Sequence, residues 1–296
     1  MKTIGIDIGG TSIKGAVIED SKIIKRAKSP TNAKNGRDAV LQSLFTVIDA
    51  LLPFADDDSP IGIGSAGDIN PANGEVIYAT GNLPNFTGLP LGKIVTERYN
   101  REVTVINDAV SGLIGELVYG AGKGCENLVL LTLGTGLGCG ILLQNKVLTG
   151  SRCRAGRAGH MELHRNGRGC TCGNSGCIEQ YVSATGLTKT AVEYGMTKTD
   201  CLTVFKLAYE RDSTALKVRE SFFNDFKTVL QDLVNLLDPE KIIIGGGLVE
   251  LKQYWWEDFL SFLPQYLSSI IKPAELGNDA GFFGSQYTAR NKQFIK

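Results

Sequence analysis

The sequence has no surplus of charge, no long apolar run and almost no histidine. Its 296 residues carry 31 Lys and Arg against 31 Asp and Glu, and only two His. Balanced charge excludes a general nucleic-acid binder, which carries a basic bias. No apolar run reaches the roughly 18 residues that a membrane-spanning helix needs. The start, MKTIGIDIGG, has no apolar signal core and enters a strand pattern at once. We therefore expect a cytoplasmic protein with no nucleic-acid and no membrane partner. Two familiar phosphate motifs are missing as well. Gly9-Gly10-Thr11 is followed by a strand pattern, not a helix, which excludes a dinucleotide fingerprint. No Gly-Lys-Ser/Thr ending follows it, which excludes a Walker A loop.

What is present is an ordinary globular composition, 43% hydrophobic and 21% charged, at a length that suits two domains of moderate size. Ile4, Ile6 and Ile8 alternate as in a half-buried strand. Residues 12–18 and 22–28 continue an antiparallel meander. Val40, Leu44, Val47 and Leu51 have helical spacing, and Pro53 ends that helix. Further strands are expected over 61–64 and 103–106, and helices over 90–99 and 109–118. The plan then restarts: an apolar strand over 128–133, a Gly-Thr turn and a return strand over 139–143. A long amphipathic helix over 215–237, a buried strand over 241–244 and a helix over 281–289 complete the chain. The division is expected near residue 118.

Three glycine turns follow apolar strands: Gly9-Gly10-Thr11, Gly134-Thr135-Gly136 with Gly138 two residues on, and Gly245-Gly246-Gly247. A turn without Cβ atoms can lay backbone N–H groups on a phosphate. Each can equally be a plain tight turn. Asp7, just before the first, can hold magnesium beside phosphates. Lys14 either faces the same place or is a solvated strand lysine. Asp108 ends a strand and opens a helix, where side chains gather at the carboxyl edge of a sheet. It is a candidate general base or a simple helix cap.

Seven cysteines stand at 125, 139, 153, 170, 172, 177 and 201. Structural disulfides are rare in the cytosol. Cys170, Cys172 and Cys177 have the spacing C-x-C-x4-C, and His160 lies ten residues upstream. Three thiolates and one imidazole make a closed tetrahedral zinc site, which is structural. It would order the segment 152–176, which is rich in Gly, Arg and Cys and has no apolar periodicity. Cys125, Cys139, Cys153 and Cys201 read as small buried apolar residues, and His164 as a surface residue.

Asp7-Ile8-Gly9-Gly10-Thr11, Leu133-Gly134-Thr135-Gly136-Leu137-Gly138, Ala158-Gly159-His160 and the Cys170–Cys177 knot together resemble the ROK family (repressor, open reading frame, kinase). The resemblance covers nearly the whole chain. It implies the actin-like ATPase fold (ribonuclease H-like), with two α/β domains on mixed five-stranded sheets and an interdomain cleft for ATP and sugar. The first domain would be residues 1–117, joined by the C-terminal helix 281–296; the second, with the zinc-binding loop, residues 118–280. The implied activity is transfer of the ATP γ-phosphate to a hexose, glucokinase-like and at O6, by a homodimer. Asp108 would be the base. Asp7 would place Mg2+, while Gly9, Gly10, Thr11, Lys14, Gly134, Thr135, Gly136, Gly138 and Gly245 to Gly247 would hold ATP. Asn82, Asn107, Asp108, Arg157, His160 and Glu179 would hold the sugar. Glu179 read alone is also a plain helix N-terminal acid.

Two departures stand out. The family usually writes Gly-Glu-x-Gly-His where this chain has Gly156-Arg157-Ala158-Gly159-His160, so a hydrogen-bond acceptor is replaced by a donor. Ser65-Ala66-Gly67 stands where the family often has Pro-Gly. Arg152, Arg154, Arg165 and Arg168 add to a basic loop that can hold an anion or simply be solvated. N-acetylmannosamine or another N-acetylhexosamine is therefore the alternative substrate. A sugar-sensing regulator is the least supported alternative, because no helix-turn-helix precedes the first ATP motif.

Overall fold

The computed structural model describes residues 1–197, 199–291 and 293–294. The first strands are β1 (Thr3–Ile8), β2 (Ser12–Glu19) and β3 (Lys22–Pro30), an antiparallel meander as expected. Helix α1 (Arg37–Leu51) buries Val40, Leu44, Val47, Ile48 and Leu51. Strand β4 (Ile61–Ser65) is buried throughout and pairs parallel with β1. A small hairpin, β5 (Asp68–Asn70) and β6 (Glu75–Tyr78), follows; the sequence did not announce it, because strands of three and four residues are too short to show alternation. Helix α2 (Leu91–Tyr99) leads to β7 (Val103–Asn107), parallel to β4, and α3 (Asp108–Tyr119). The sheet order is β3-β2-β1-β4-β7.

The plan then repeats with β8 (Leu128–Leu133), β9 (Leu137–Leu143) and β10 (Lys146–Val147). Helices α4 (Ala184–Glu193), α5 (Cys201–Tyr209) and α6 (Ser213–Leu237) come next, then β11 (Lys241–Gly245), α7 (Trp256–Phe262), α8 (Gln265–Ser268), β12 (Ile271–Pro273) and α9 (Ala280–Arg290). The second sheet has the order β10-β9-β8-β11-β12, with β8, β11 and β12 parallel and β10 antiparallel to β9. Both five-stranded sheets are thus mixed.

Two compact units emerge. One holds residues 1–126, 140–156 and the stretch from Asp279; the other holds 127–139 and 157–278. A single cut near 118 cannot express this, because the chain passes between the units after Glu126, Cys139, Gly156 and Asn278. The expected helical segment 281–296 is helical over 280–290, and its residues 292, 295 and 296 lie outside those described.

Each unit has its own core. In the first, aliphatic residues of β1, β2, β4, β7 and α1 form one buried cluster. Helix α9 lies directly on this sheet. Added Cβ atoms at Gly62 and Gly284 would overlap the carbonyl oxygens of Ser285 and Ser111, so glycine is what permits backbone to touch backbone there. In the second, α5, α6, α7 and the residue before α7 supply an aromatic core of Phe205, Phe222, Phe223, Phe226, Trp255 and Phe259, with ring centroids 4.9–6.4 Å apart where they meet. The indole N–H of Trp255 donates to Leu248 O at 3.0 Å, so the ring is buried without an unmet donor.

Candidate active site and metal centre

In the first unit, β1 and β7 end at the same sheet edge, separated by β4. Asp7 stands near the end of β1 and Asp108 directly after β7. Asn107, not Asp108, caps α3: its Oδ1 accepts from Ala109 N at 2.9 Å and Val110 N at 3.1 Å. Its Nδ2 donates to Gly67 O at 2.9 Å and to Asp108 Oδ1 at 3.0 Å. Both ends of the Asn107 carboxamide are thus hydrogen-bonded within the first unit. Asp108 Oδ1 accepts from the Asn107 amide at 3.0 Å and from Ala109 N at 2.9 Å.

Burial pushes the Asp108 carboxyl above the usual range, against the hydrogen bonds from Ala109 and Asn107. Burial also pushes Asp7 up to about 7; the charge of Asp108 adds to this, and Lys14 opposes it. Lys14 is the register partner of Asp7 on β2, so both project from the same face of the sheet. The first turn of α9 closes on Asp7: a Cβ on Gly281 would stand 2.7 Å from its Cγ. The turn at Gly9 to Thr11 is pinned by Thr31, whose Oγ1 donates to Gly9 O at 2.6 Å and whose N donates to Thr11 O at 3.0 Å. Gly10 and Thr11 are left exposed. Two carboxylates, a lysine and an open glycine turn thus share one edge. Asn82 is exposed beside the buried Leu83.

The second unit carries the other two glycine turns. Gly246, at φ +85°, lies so close to the backbone of Leu133 that a Cβ would come within 2.6 Å of Leu133 N. The turns Gly134–Gly136 and Gly245–Gly247 are therefore neighbours. Thr135 is exposed and Gly138 half-buried at the start of β9.

The cluster of His160, Cys170, Cys172 and Cys177 also assembles, with all four ligand atoms within 4.8 Å of one another. His160 Nδ1 lies 3.8 Å from Cys170 Sγ, and Cys172 Sγ lies 3.6 Å from Cys177 Sγ. Tetrahedral zinc with ordinary Zn–S and Zn–N bonds requires edges of about 3.4–3.8 Å, so the donor set fits that ion. Burial, reinforced by Cys172 and Cys170, pushes the Cys177 thiol up to about 12. A bound cation would favour the thiolate of Cys177 against this shift. Glu179 borders the cluster: its Oε1 accepts from Cys170 Sγ at 3.0 Å and lies 3.7 Å from His160 Nδ1. Arg157 is half-buried at the head of the short helix 158–160.

Two of the loop arginines are held within the protein. Arg154 pairs with Asp68 at 2.9 Å. Arg168 binds Gln180 O at 2.6 Å, Thr190 Oγ1 at 2.9 Å and the carboxylate of Glu193 at 2.8 and 2.5 Å, and it stacks on Tyr181. Its place as the staple between the loop and α4 was not legible among so many arginines. Two of the scattered cysteines, Cys125 and Cys139, are buried as expected; Cys153 and Cys201 are only half-buried. His164 is half-exposed but pairs with Asp225 at 2.9 Å.

The ROK family model matches residues 3–292. The chain belongs to the ROK family. It is 32% identical to the glucokinase of Thermotoga maritima, with 96% of each chain covered, and 30% identical to an N-acetylmannosamine kinase of Haemophilus influenzae, covering 98% of this chain and 96% of that one. Its structure resembles that of a ROK family glucokinase from Streptomyces griseus in complex with glucose and AMPPNP, at a TM-score of 0.86 and 27% identity over 98% of this chain and 99% of that one. The fold is that of the actin-like ATPases.

Proposed function

We propose that this ROK protein is an ATP-dependent hexose kinase, glucokinase-like, phosphorylating O6. The observation that carries this is the pair at the head of α3. Asn107 takes the capping role and orients Asp108, and burial raises the basicity of the Asp108 carboxylate. A carboxylate made more basic by burial suits proton removal from a sugar hydroxyl. Asp7 is the residue for Mg2+, which would offset charge on the transferring phosphate. The glycine turns at 9–11, 134–136 and 245–247, with Lys14 and Gly138, hold ATP through backbone N–H groups. Asn82, Arg157, His160 and Glu179 contact the sugar. The His160, Cys170, Cys172 and Cys177 cluster holds Zn2+ in a structural role. The working form is a cytoplasmic homodimer, which light scattering will check.

A coupled assay of ADP release against aldoses, ketoses and N-acetylhexosamines tests the reading; no turnover on any of them ends it. Arg157 favours a second reading. It places a donor where the family usually has an acceptor, and the Haemophilus relative is named N-acetylmannosamine kinase. If N-acetylmannosamine outperforms glucose in kcat/KM, that reading replaces the first.

A further inference from the structure

We propose that the His160/Cys170/Cys172/Cys177 cluster sets the nucleotide affinity of the Gly134–Gly136 turn, through Glu179 and the start of α4. This rests on the reading of that turn as part of the nucleotide site. Two connections join cluster and turn, and both lie within the second unit.

The first is the Glu179 side chain. One carboxylate oxygen, Oε1, meets Cys170 Sγ at 3.0 Å. The other, Oε2, packs against Gly136, where an added Cβ would stand 2.5 Å from it. This carboxylate stands between the cluster and the turn; Cys170 donates to it only as a thiol, so with the thiolate bound to zinc Glu179 is held by the chain that continues from the ligand Cys177. The second is the backbone that follows. Ser183 Oγ donates to Glu179 O at 2.6 Å and accepts from Gly186 N at 2.9 Å, which ties Glu179 to the N-terminus of α4. The next residue, Ala184, donates its N–H to Gly134 O at 2.8 Å. Residues 179–184 therefore run from cluster to turn in a few bonded steps.

Beside these contacts and the packing of Gly246 on Leu133, the turn has one bond of its own. Its internal bond is Gly134 N to Gly136 O at 3.0 Å, and a Cβ on Gly134 would meet nothing within 4 Å. The loop around the cluster holds few apolar residues, so the metal supplies much of its order. Losing the metal loosens His160 to Cys177 and with them Glu179. The turn then loses the carboxylate packed on Gly136 and the firm placement of the Ala184 donor. A cluster that served only its own loop would leave the turn unaffected.

Calorimetric titration with MgADP, without sugar, tests this on zinc-loaded and chelated protein. Chelation is expected to weaken MgADP binding by about tenfold, and by reciprocity MgADP is expected to raise zinc affinity against a competing chelator by the same factor. Glu179→Ala keeps all four metal ligands. Loaded with zinc, it is expected to bind MgADP as weakly as the chelated wild type. Equal MgADP affinity with and without zinc overturns the coupling and leaves the kinase reading standing. So does zinc-loaded Glu179→Ala that binds like wild type, a result that decides the matter even where chelation unfolds the unit. No MgADP binding by any form overturns both.

Discussion

At the residue scale, the question about Asp108 was whether it is a cap or a base. The Asn-Asp pair reads either way in sequence, because both residues are good helix caps. In the structure Asn107 is the cap, accepting from Ala109 N and Val110 N, which the sequence alone does not tell, and the proposed base is Asp108. Asp108→Asn is expected to lower kcat by about 10³-fold with KM little changed, since a general base typically contributes 10²–10⁴. The acid limb of kcat/KM in the wild type is expected above the ordinary carboxylate range, because the raised carboxyl must be ionised to act. An acid limb near pH 4 contradicts this. Asp7 permits a stability prediction of opposite sense. Its carboxyl titrates near 7 in the fold against 3.8 ordinarily. The folded state binds the proton more tightly than the open chain, so metal-free stability falls as pH rises from about 4 to about 7 and stays low above. Asp7→Asn removes that burden. At pH 8 it is expected to raise the melting temperature of the metal-free protein by roughly 2–4 °C while abolishing turnover. A lower melting temperature would falsify the assignment of burial as the cause.

At the element scale, the long periodic elements were legible: the opening meander, α1, α6 and the buried strands β4, β8 and β11. The segment from Ser183 to Tyr209 was not. Half of helix α4, ATGLTKTAVE, is Thr, Gly and Val, which are weak helix formers, so propensity does not mark it clearly. Ser183 as its cap and Arg168 as its anchor carry the signal, and the latter is visible only in three dimensions. For α9 the pattern gave the helix and the family resemblance its place with the first domain, but not the glycines that receive it. Gly62, one of these, lay within the strand expected over 61–64, where nothing in sequence marks it as a helix contact. Gly62→Ala is expected to destabilise the first unit by about 3 kcal/mol or more, because the new methyl would overlap Ser285 O and backbone cannot yield cheaply. A urea midpoint within error of wild type would show that α9 can ride higher on the sheet than described.

At the scale of the molecule, the glycine turns and the metal knot gave away the family, but the division of labour between units did not follow from any linear cut. The acidic pair and α9 belong to the first unit, while the knot and two of the three glycine turns belong to the second. Each unit has a separate core, aliphatic in one and aromatic in the other, so each has its own source of cooperativity. Differential scanning calorimetry is expected to resolve two transitions. Chelation is expected to lower only the transition of the second unit, because the cluster orders residues found there alone. Asp7→Asn is expected to raise only the other, because its burial cost arises among β1, β2, α3 and α9. A single transition moved by both treatments would mean that the covalent passages after Glu126, Cys139, Gly156 and Asn278 bind the two cores into one cooperative whole. The melting data would then have to be read as one equilibrium, with the metal stabilising the acidic pair as much as its own loop.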